Sequence, residues 1–361
     1  MDELRRFVEE LRGRRDRVYD YLDSWPGAEA FKPEDIHDGL FAYVRQRGKG
    51  LRPSLLMLSA GAVGGDEEQA IPAAAAVEIF HIWTLVHDDI IDRDEMRRGN
   101  PTVHAQYSRH AGERYGLAAG DAAHYGSAVA ILSGDLQQSW SFALLCDLAE
   151  RGVAPELILK LIRRMATSLT PRLLEGEMLD VQFAFGRADD LTDERILHML
   201  AGKSAALLEY SAWAGATIGL GGRPDPHGYA ESLGRFALLC GLGFQLQDDL
   251  LGLTADETKL GKPVGSDLRE GKRTLILHHA LRRASDAERA TLLGVVGRQD
   301  ANQDEASEAL SIIRRTGALD EVEKLASAFI SQGLDALEQL PESDAKGLLR
   351  LWGGFMLART Y

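Results

Sequence analysis

The sequence predicts an all-α protein, read as one large helical domain over residues 1–361. Apolar residues recur at three and four positions along nearly the whole chain, the period of a half-buried helix, and no long run alternates as a strand would. Hydrophobic residues make up 45% and charged residues 27%, a globular balance that excludes a disordered or collagen-like chain. The breaks are short Gly and Pro groups, Gly64-Gly65, Gly99-Asn100-Pro101 and Gly221-Gly222-Arg223-Pro224, the size of helix connections within one body.

In chain order, the spacing places helices over Leu4–Leu22, Glu34–Arg47, Arg52–Val63, Glu67–Asp92, Gly112–Leu132, Leu136–Glu150 and Pro155–Phe185. It continues with Asp193–Leu220, Gly228–Leu250, Arg273–Arg283, Ala287–Val296, Glu305–Thr316, Leu319–Leu337 and Ser343–Ala358. The charged start, Met1 to Arg17, has no apolar segment of the secretory kind, and its acidic residues disfavour a transit peptide, so a cytoplasmic protein is expected. The run Ala70 to Val86 carries Pro72, Glu78 and His81 and leads into Asp88, short of the roughly 20 apolar residues of a membrane span. It reads as a core helix. Cys146 and Cys240 lie in apolar helical stretches without metal-ligand spacing and are expected as buried thiols, not a disulfide. A formal charge of −14 disfavours a nucleic-acid partner but leaves room for a small basic site.

The generic helical pattern stops at Leu85-Val-His-Asp88-Asp89-Ile-Ile-Asp92, followed by Arg97-Arg98-Gly99. Asp88 and Asp92 fall one turn apart on one face, so their carboxylates repel unless a cation lies between them. Oxygen donors with no Cys or paired His select Mg2+ completed by water and phosphate. A second apolar helix ends the same way at Gln245-Leu-Gln-Asp248-Asp249-Leu-Leu-Gly252, which suggests two carboxylate walls facing each other across a cavity. Gly261-Lys262-Pro263, Asp267 and Gly271-Lys272 place cations in loop-like contexts downstream, and Gly48-Lys49-Gly50-Leu-Arg52-Pro53 sets Lys and Arg where a helix begins, suited to an anion.

With these motifs in order, the chain resembles the trans-polyprenyl diphosphate synthases of the isoprenoid synthase fold, over roughly Gly48 to Thr274. The resemblance rests on Asp88-Asp89-x-x-Asp92 with Arg97-Arg98-Gly99 and Pro101-Thr102, on Gly48-Lys49-Gly50-x-Arg52-Pro53, on Lys203-Ser204, and on Asp248-Asp249. Gly252 stands where the family usually has a third Asp, so one carboxylate is missing. The resemblance implies Mg2+ held by Asp88, Asp92 and Asp248, with Asp89 and Asp249 in the same metal set. It implies Arg97, Lys203 and Lys262 on an allylic diphosphate, with Lys272 a further substrate contact. Isopentenyl diphosphate would sit on Lys49, Arg52, His81 and Arg98, and Ser204 and Gln245 near the allylic end. A homodimer is also implied.

Glu78-x-x-His81 is a ligand pattern of di-iron bundles, but no second such pair occurs. A terpene cyclase of the same fold lacks support, because the Ser/Thr of the cyclase metal triad is absent near Asp249 and Lys49 and Arg52 are kept for a second substrate. A non-catalytic subunit of a heteromeric synthase would be expected to lose aspartates that this chain retains. For product length, Trp83 and Phe80 lie five and eight positions before Asp88, about 7 Å and 12 Å along the helix, as a floor for the growing chain. An aromatic stripe at this spacing is also what plain core packing produces. With small Thr84 beside Trp83, the pattern resembles geranylgeranyl synthases, and farnesyl diphosphate is the next expectation.

Overall fold

The computed structural model describes residues 2–186, 191–254, 268, 271–298 and 300–358. The described residues are almost wholly helical, with one two-stranded hairpin. They form two compact units, Met1–Ile162 with Ala214–Asp225, and Arg163–Trp213 with Pro226–Tyr361.

The first unit is built on helices α1 (Asp2–Asp23), α2 (Glu34–Arg45), α3 (Leu51–Ala62), α4 (Ile71–Ile91), α5 (Val103–Tyr115), α6 (Ala119–Cys146) and most of α7 (Pro155–Arg164). Pro72 sits in the first turn of α4, where its missing N–H costs nothing. The residues from Ile71 to Phe80 are all buried, because α4 is flanked by α1, α3 and α6. By length and composition the stretch Glu68–Ile91 would cross a membrane, yet its most apolar window is 78% buried inside the structure. The core-helix reading therefore stands. Close helix contacts rely on glycine: a Cβ on Gly126 would lie 2.1 Å from the His104 carbonyl, and one on Gly134 would lie 2.1 Å from Nε2 of His87.

Three expectations fail here. The helix placed over Gly112–Leu132 is in fact the end of α5, stopped by Gly116 in the left-handed region (φ 66°), followed by the start of α6. The gap left between Leu132 and Leu136 is continuous helix, where Gly134 makes room for His87. With α6 unbroken to Cys146, that cysteine falls on the face of Leu132, Asp135 and Ser139 and is exposed, not buried. Cys240 is buried, and both thiols are free.

The second unit contains α8 (Thr170–Phe185), α9 (Asp193–Leu200), the first half of α10 (Ala206–Leu220), α11 (Tyr229–Thr254), α12 (Leu275–Arg283), α13 (Asp286–Val295), α14 (Gln303–Arg315), α15 (Ala318–Leu337) and α16 (Asp344–Ala358). Side chains cap several starts: Thr274 accepts from the Leu277 N–H, and Ser285 and Asn302 form capping boxes with Glu288 and Glu305. The apolar core joins Ile196, Leu246, Leu250, Leu253, Leu275 and Ile313. α15 and α16 both lie on α11, closely enough that a Cβ on Gly243 would sit 2.8 Å from the Ala326 carbonyl.

Gly215 is the tightest of these glycine contacts, its Cβ position lying 1.9 Å from the carbonyl of Leu56 on α3. Gly215→Ala should lower unfolding free energy by about 1–3 kcal/mol through forced helix separation. Gly13→Ala, on the exposed face of α1 with nothing nearby, should instead stabilise by up to about 1 kcal/mol. Urea midpoints of the two variants check this; equal shifts would remove the packing argument.

Candidate active site

The end of α4 is shaped by its backbone. Arg93 takes the left-handed conformation (φ 59°), its N–H meets the Ile90 carbonyl at 3.3 Å and the Asp94 N–H meets the Asp89 carbonyl at 2.9 Å, a Schellman stop without glycine. Three aspartates thus fall at the negative end of the helix dipole, where carboxylates are disfavoured without a compensating cation. The structure separates their roles. Asp88 is half-buried and Asp92 exposed, with carboxylate oxygens within 4.8 Å of one another. Asp89 is 1% exposed and accepts hydrogen bonds from Arg97 Nε at 2.7 Å and from the Tyr43 hydroxyl. Burial pushes the Asp89 carboxyl above the usual range, and Arg97 and Tyr43 pull it back. Asp89, expected among the metal ligands, therefore anchors Arg97, which also lies 3.3 Å from Asp88 Oδ2. Arg97 and Asn100 pair across a hairpin whose turn residues, Arg98 (φ 52°) and Gly99 (φ 77°), both have positive φ, the I′ form.

Gly50 (φ 66°) is the N-cap of α3 and places Arg52 in its first turn, with Lys49 exposed just before. Arg52 Nη1 lies 3.1 Å from His81 Nε2. A guanidinium only donates, so Nε2 must accept and the imidazole is neutral, its proton on Nδ1. Burial, then the charges of Arg52, Arg98 and Arg97, depress the His81 pKa well below its ordinary value. Burial also lowers Arg52 to about 10, still cationic at neutral pH, and its Nε has no hydrogen-bond partner among the described residues. Glu78 accepts from Tyr19, so the Glu78–His81 pair is engaged with hydrogen-bonding neighbours. Along the same helix, Phe80 is fully buried edge-on against Trp83 at 4.8 Å, and Trp83 meets His87 at 5.9 Å. Thr84 bonds back to the His81 carbonyl.

In the second unit a cavity of about 230 Å³ is lined by Lys203, Ser204, Gln245, Asp248, Asp249 and Lys272, all anticipated from the sequence. Lys203 and Ser204 lie in a π-helical turn, Ala201–Ala205, of the kind that often marks functional positions. The turn packs on α8, where a Cβ on Gly176 would lie 2.2 Å from the Lys203 nitrogen. Ser204 donates to Gln245 Oε1 at 2.9 Å, and the Gln245 amide donates to Asp249 Oδ1 at 3.2 Å. That relay fixes the amide orientation. Asp248 is exposed. The aspartate pair does not close its helix as expected, because α11 runs on to Thr254. Lys262 and Asp267 lie outside the described residues.

Sequence reasoning missed several groups. Asp180 lines the cavity and pairs with Lys203 at 2.7 Å, and Glu177 pairs with it at 3.1 Å. Their three-residue spacing on a helix was the available signal. Arg273 also lines the cavity, with Nε and Nη1 buried and lacking hydrogen-bond partners among the described residues. Tyr43 sits amid apolar neighbours on α2, and nothing in its local pattern marks it.

The depressed His81 pKa sets a stability slope. Below about pH 6.5 the unfolded chain takes up a proton that the folded imidazole refuses, so stability present above that pH is lost as pH falls toward the folded value. His81→Gln should reduce the acid-side loss, which for one such group reaches about 1.4 kcal/mol per pH unit. Urea midpoints at pH 7.5 and 5.5 in both proteins measure it, and identical slopes would refute it.

The polyprenyl synthetase family model matches residues 34–313. A geranylgeranyl diphosphate synthase from Methanosarcina mazei is 34% identical, covering 98% of both chains. A geranylfarnesyl diphosphate synthase from Aeropyrum pernix is 32% identical, covering 91% of this chain and 95% of that one. The crystal structure of geranylgeranyl pyrophosphate synthase from Corynebacterium glutamicum, complexed with isoprenyl diphosphate and magnesium, aligns over 98% of this chain and 99% of that one, with a TM-score of 0.84 and 28% identity. With its two aspartate pairs and its cationic clusters in the family's order, the chain belongs to the polyprenyl synthetase family and is a prenyltransferase of the short-chain prenyl diphosphate synthase kind.

Proposed function

We propose that this enzyme condenses isopentenyl diphosphate with an allylic diphosphate in a Mg2+-dependent reaction, releasing a trans product, geranylgeranyl diphosphate foremost and farnesyl diphosphate next. The observation that carries this is the Arg52–His81 cluster, with Arg98 as its charged neighbour, on the helix that also bears Asp88. His81 and Asp88 are seven residues apart, about 10 Å and nearly in phase along α4. A synthase needs two diphosphate sites, one ionised and one held intact; a cyclase needs only the first.

The donor set fits a hard divalent cation: carboxylate oxygens without thiols, at a helix end whose dipole disfavours them alone. Asp88, Asp92 and Asp248 would hold Mg2+, which when bound neutralises the allylic diphosphate and makes it a better leaving group. Arg97, held by Asp89, together with Lys203, Lys262 and Lys272, spreads the charge that develops on the leaving oxygens. Lys49, Arg52, His81 and Arg98 grip the diphosphate of isopentenyl diphosphate and present its double bond to the allylic carbocation. The Ser204–Gln245–Asp249 relay offers fixed dipoles and a negative charge to that cation. The proton then leaves to the departing diphosphate. Retention of all four paired aspartates disfavours a non-catalytic subunit. A homodimer remains part of the proposal on the family resemblance. Incubation with isopentenyl diphosphate and each allylic diphosphate in turn, with sizing of the dephosphorylated products, tests the reading directly.

Asp88→Ala and Asp248→Ala should each reduce Mg2+-dependent condensation at least about a hundredfold, with helical content and thermal midpoint unchanged. Turnover near that of the parent in either variant would remove it from the metal set.

The buried Phe80–Trp83 pair is proposed as the floor that limits chain length. Trp83→Ala should shift products to longer chains, at a stability cost of about 3–5 kcal/mol for a truncated core aromatic. Mass analysis of products decides it: a folded, active variant with the parent's distribution would reduce Trp83 to core packing.

A further inference from the structure

We propose that Tyr19, on α1, is a positioning residue for the homoallylic diphosphate, acting by fixing the Gly48–Arg52 segment through a buried bridge to Glu78. The inference rests on the proposed role of Lys49 and Arg52 in binding isopentenyl diphosphate. Tyr19 precedes the stretch matched by the family model, residues 34–313.

Tyr19 is fully buried. Its hydroxyl donates to Glu78 Oε1 at 2.7 Å and accepts from the Gly48 N–H at 2.7 Å. The single hydroxyl proton is thereby directed to Glu78, and a lone pair is left for the backbone of the residue immediately before Lys49. A Cβ on Gly48 would lie 3.0 Å from Glu78 Oε1, 3.3 Å from the Tyr19 oxygen and 3.5 Å from Arg98 Nη1, so these groups converge on one point of the segment. Four residues earlier on α1, Arg15 packs under Gly50, whose Cβ position lies 2.6 Å from Arg15 Cγ. One face of α1 thus touches the segment on both sides of Lys49. Glu78 is 3% exposed and has Arg52 and Arg98 as its charged neighbours. Burial raises the pKa of the Glu78 carboxyl, the Tyr19 hydrogen bond and the charges of these two cations, assigned to the same diphosphate, pull it back, and the Tyr19 hydroxyl holds the carboxyl in one orientation.

Removing the hydroxyl leaves the Gly48 N–H and Glu78 Oε1 without this partner, and the loss falls on the segment that meets the homoallylic diphosphate. Steady-state kinetics of full-length Tyr19→Phe should show KM for isopentenyl diphosphate raised roughly 5- to 30-fold. The allylic KM and the kcat at saturation of both substrates should stay within about twofold, because Tyr19 does not touch the reacting atoms. A thermal midpoint measured alongside reports any general loosening, which would raise both KM values together. An unchanged KM for isopentenyl diphosphate, or equal rises for both substrates, would overturn the inference. Lys49→Ala separates the two levels: if it raises KM for isopentenyl diphosphate and Tyr19→Phe does not, only the role of Tyr19 fails. If the parent condenses no allylic diphosphate, the functional reading fails and this inference with it.

Discussion

Carboxylates at the negative end of a buried helix are the constraint around which the first unit is organised. α4 is so apolar that its first half can only be interior, yet it ends in three aspartates. The cost is met in two ways. Asp89 is taken into the protein, paired with Arg97 and hydrogen-bonded by the Tyr43 hydroxyl, whereas Asp88 and Asp92 keep exposed surface. Without the Asp89–Arg97 pair, three like charges would crowd one turn. With it, the same arginine is held beside Asp88, where the proposed allylic diphosphate would meet it.

α1, α3 and α6 pack around α4. α6 approaches through Gly134 so that His87 fits against it, and α3 meets the end of α10 through Gly215. Interiors this closely packed do not deform smoothly, so the two-turn spacing between His81 and Asp88 is a fixed ruler between the proposed homoallylic cluster and the proposed metal end. A flexible loop could supply the same residue types without supplying that distance.

Much of this was legible in the sequence, and the limits have physical reasons. Asp88, Asp92, Lys49 and Arg52 stood out because charge interrupts an apolar period or falls at a helix start. Tyr43, Tyr19 and Arg273 did not, because a residue that works by contact with a distant segment leaves no local pattern. The gap misplaced between Leu132 and Leu136, around Gly134, has the same origin: glycine signals either a chain bend or a close neighbour, and only the fold tells which. The segment after Arg298 offered no motif at all, yet its helices α15 and α16 lie along α11, the carrier of Asp248. A buttress needs only apolar residues of the right shape, and many sequences supply those.

Arg98 shows the converse case, in which local preference is overridden. The I′ turn asks for positive φ at both central residues, and Asn or Gly is the ordinary choice at the first. Here that position holds arginine at φ 52°, a conformation that costs an L residue with a full side chain roughly 1–2 kcal/mol. The neighbouring position keeps its glycine, so the hairpin retains one relaxed residue and carries one strained residue. The turn sets Arg97 and Arg98 side by side: Arg97 is held on Asp89, and Nη1 of Arg98 comes to the Gly48 end of the Gly48–Arg52 segment. A longer, unstrained loop would relieve the backbone but would free the two guanidinium groups to move independently. The strain is therefore the cost of tying the positions of both proposed diphosphate-binding clusters to one short turn.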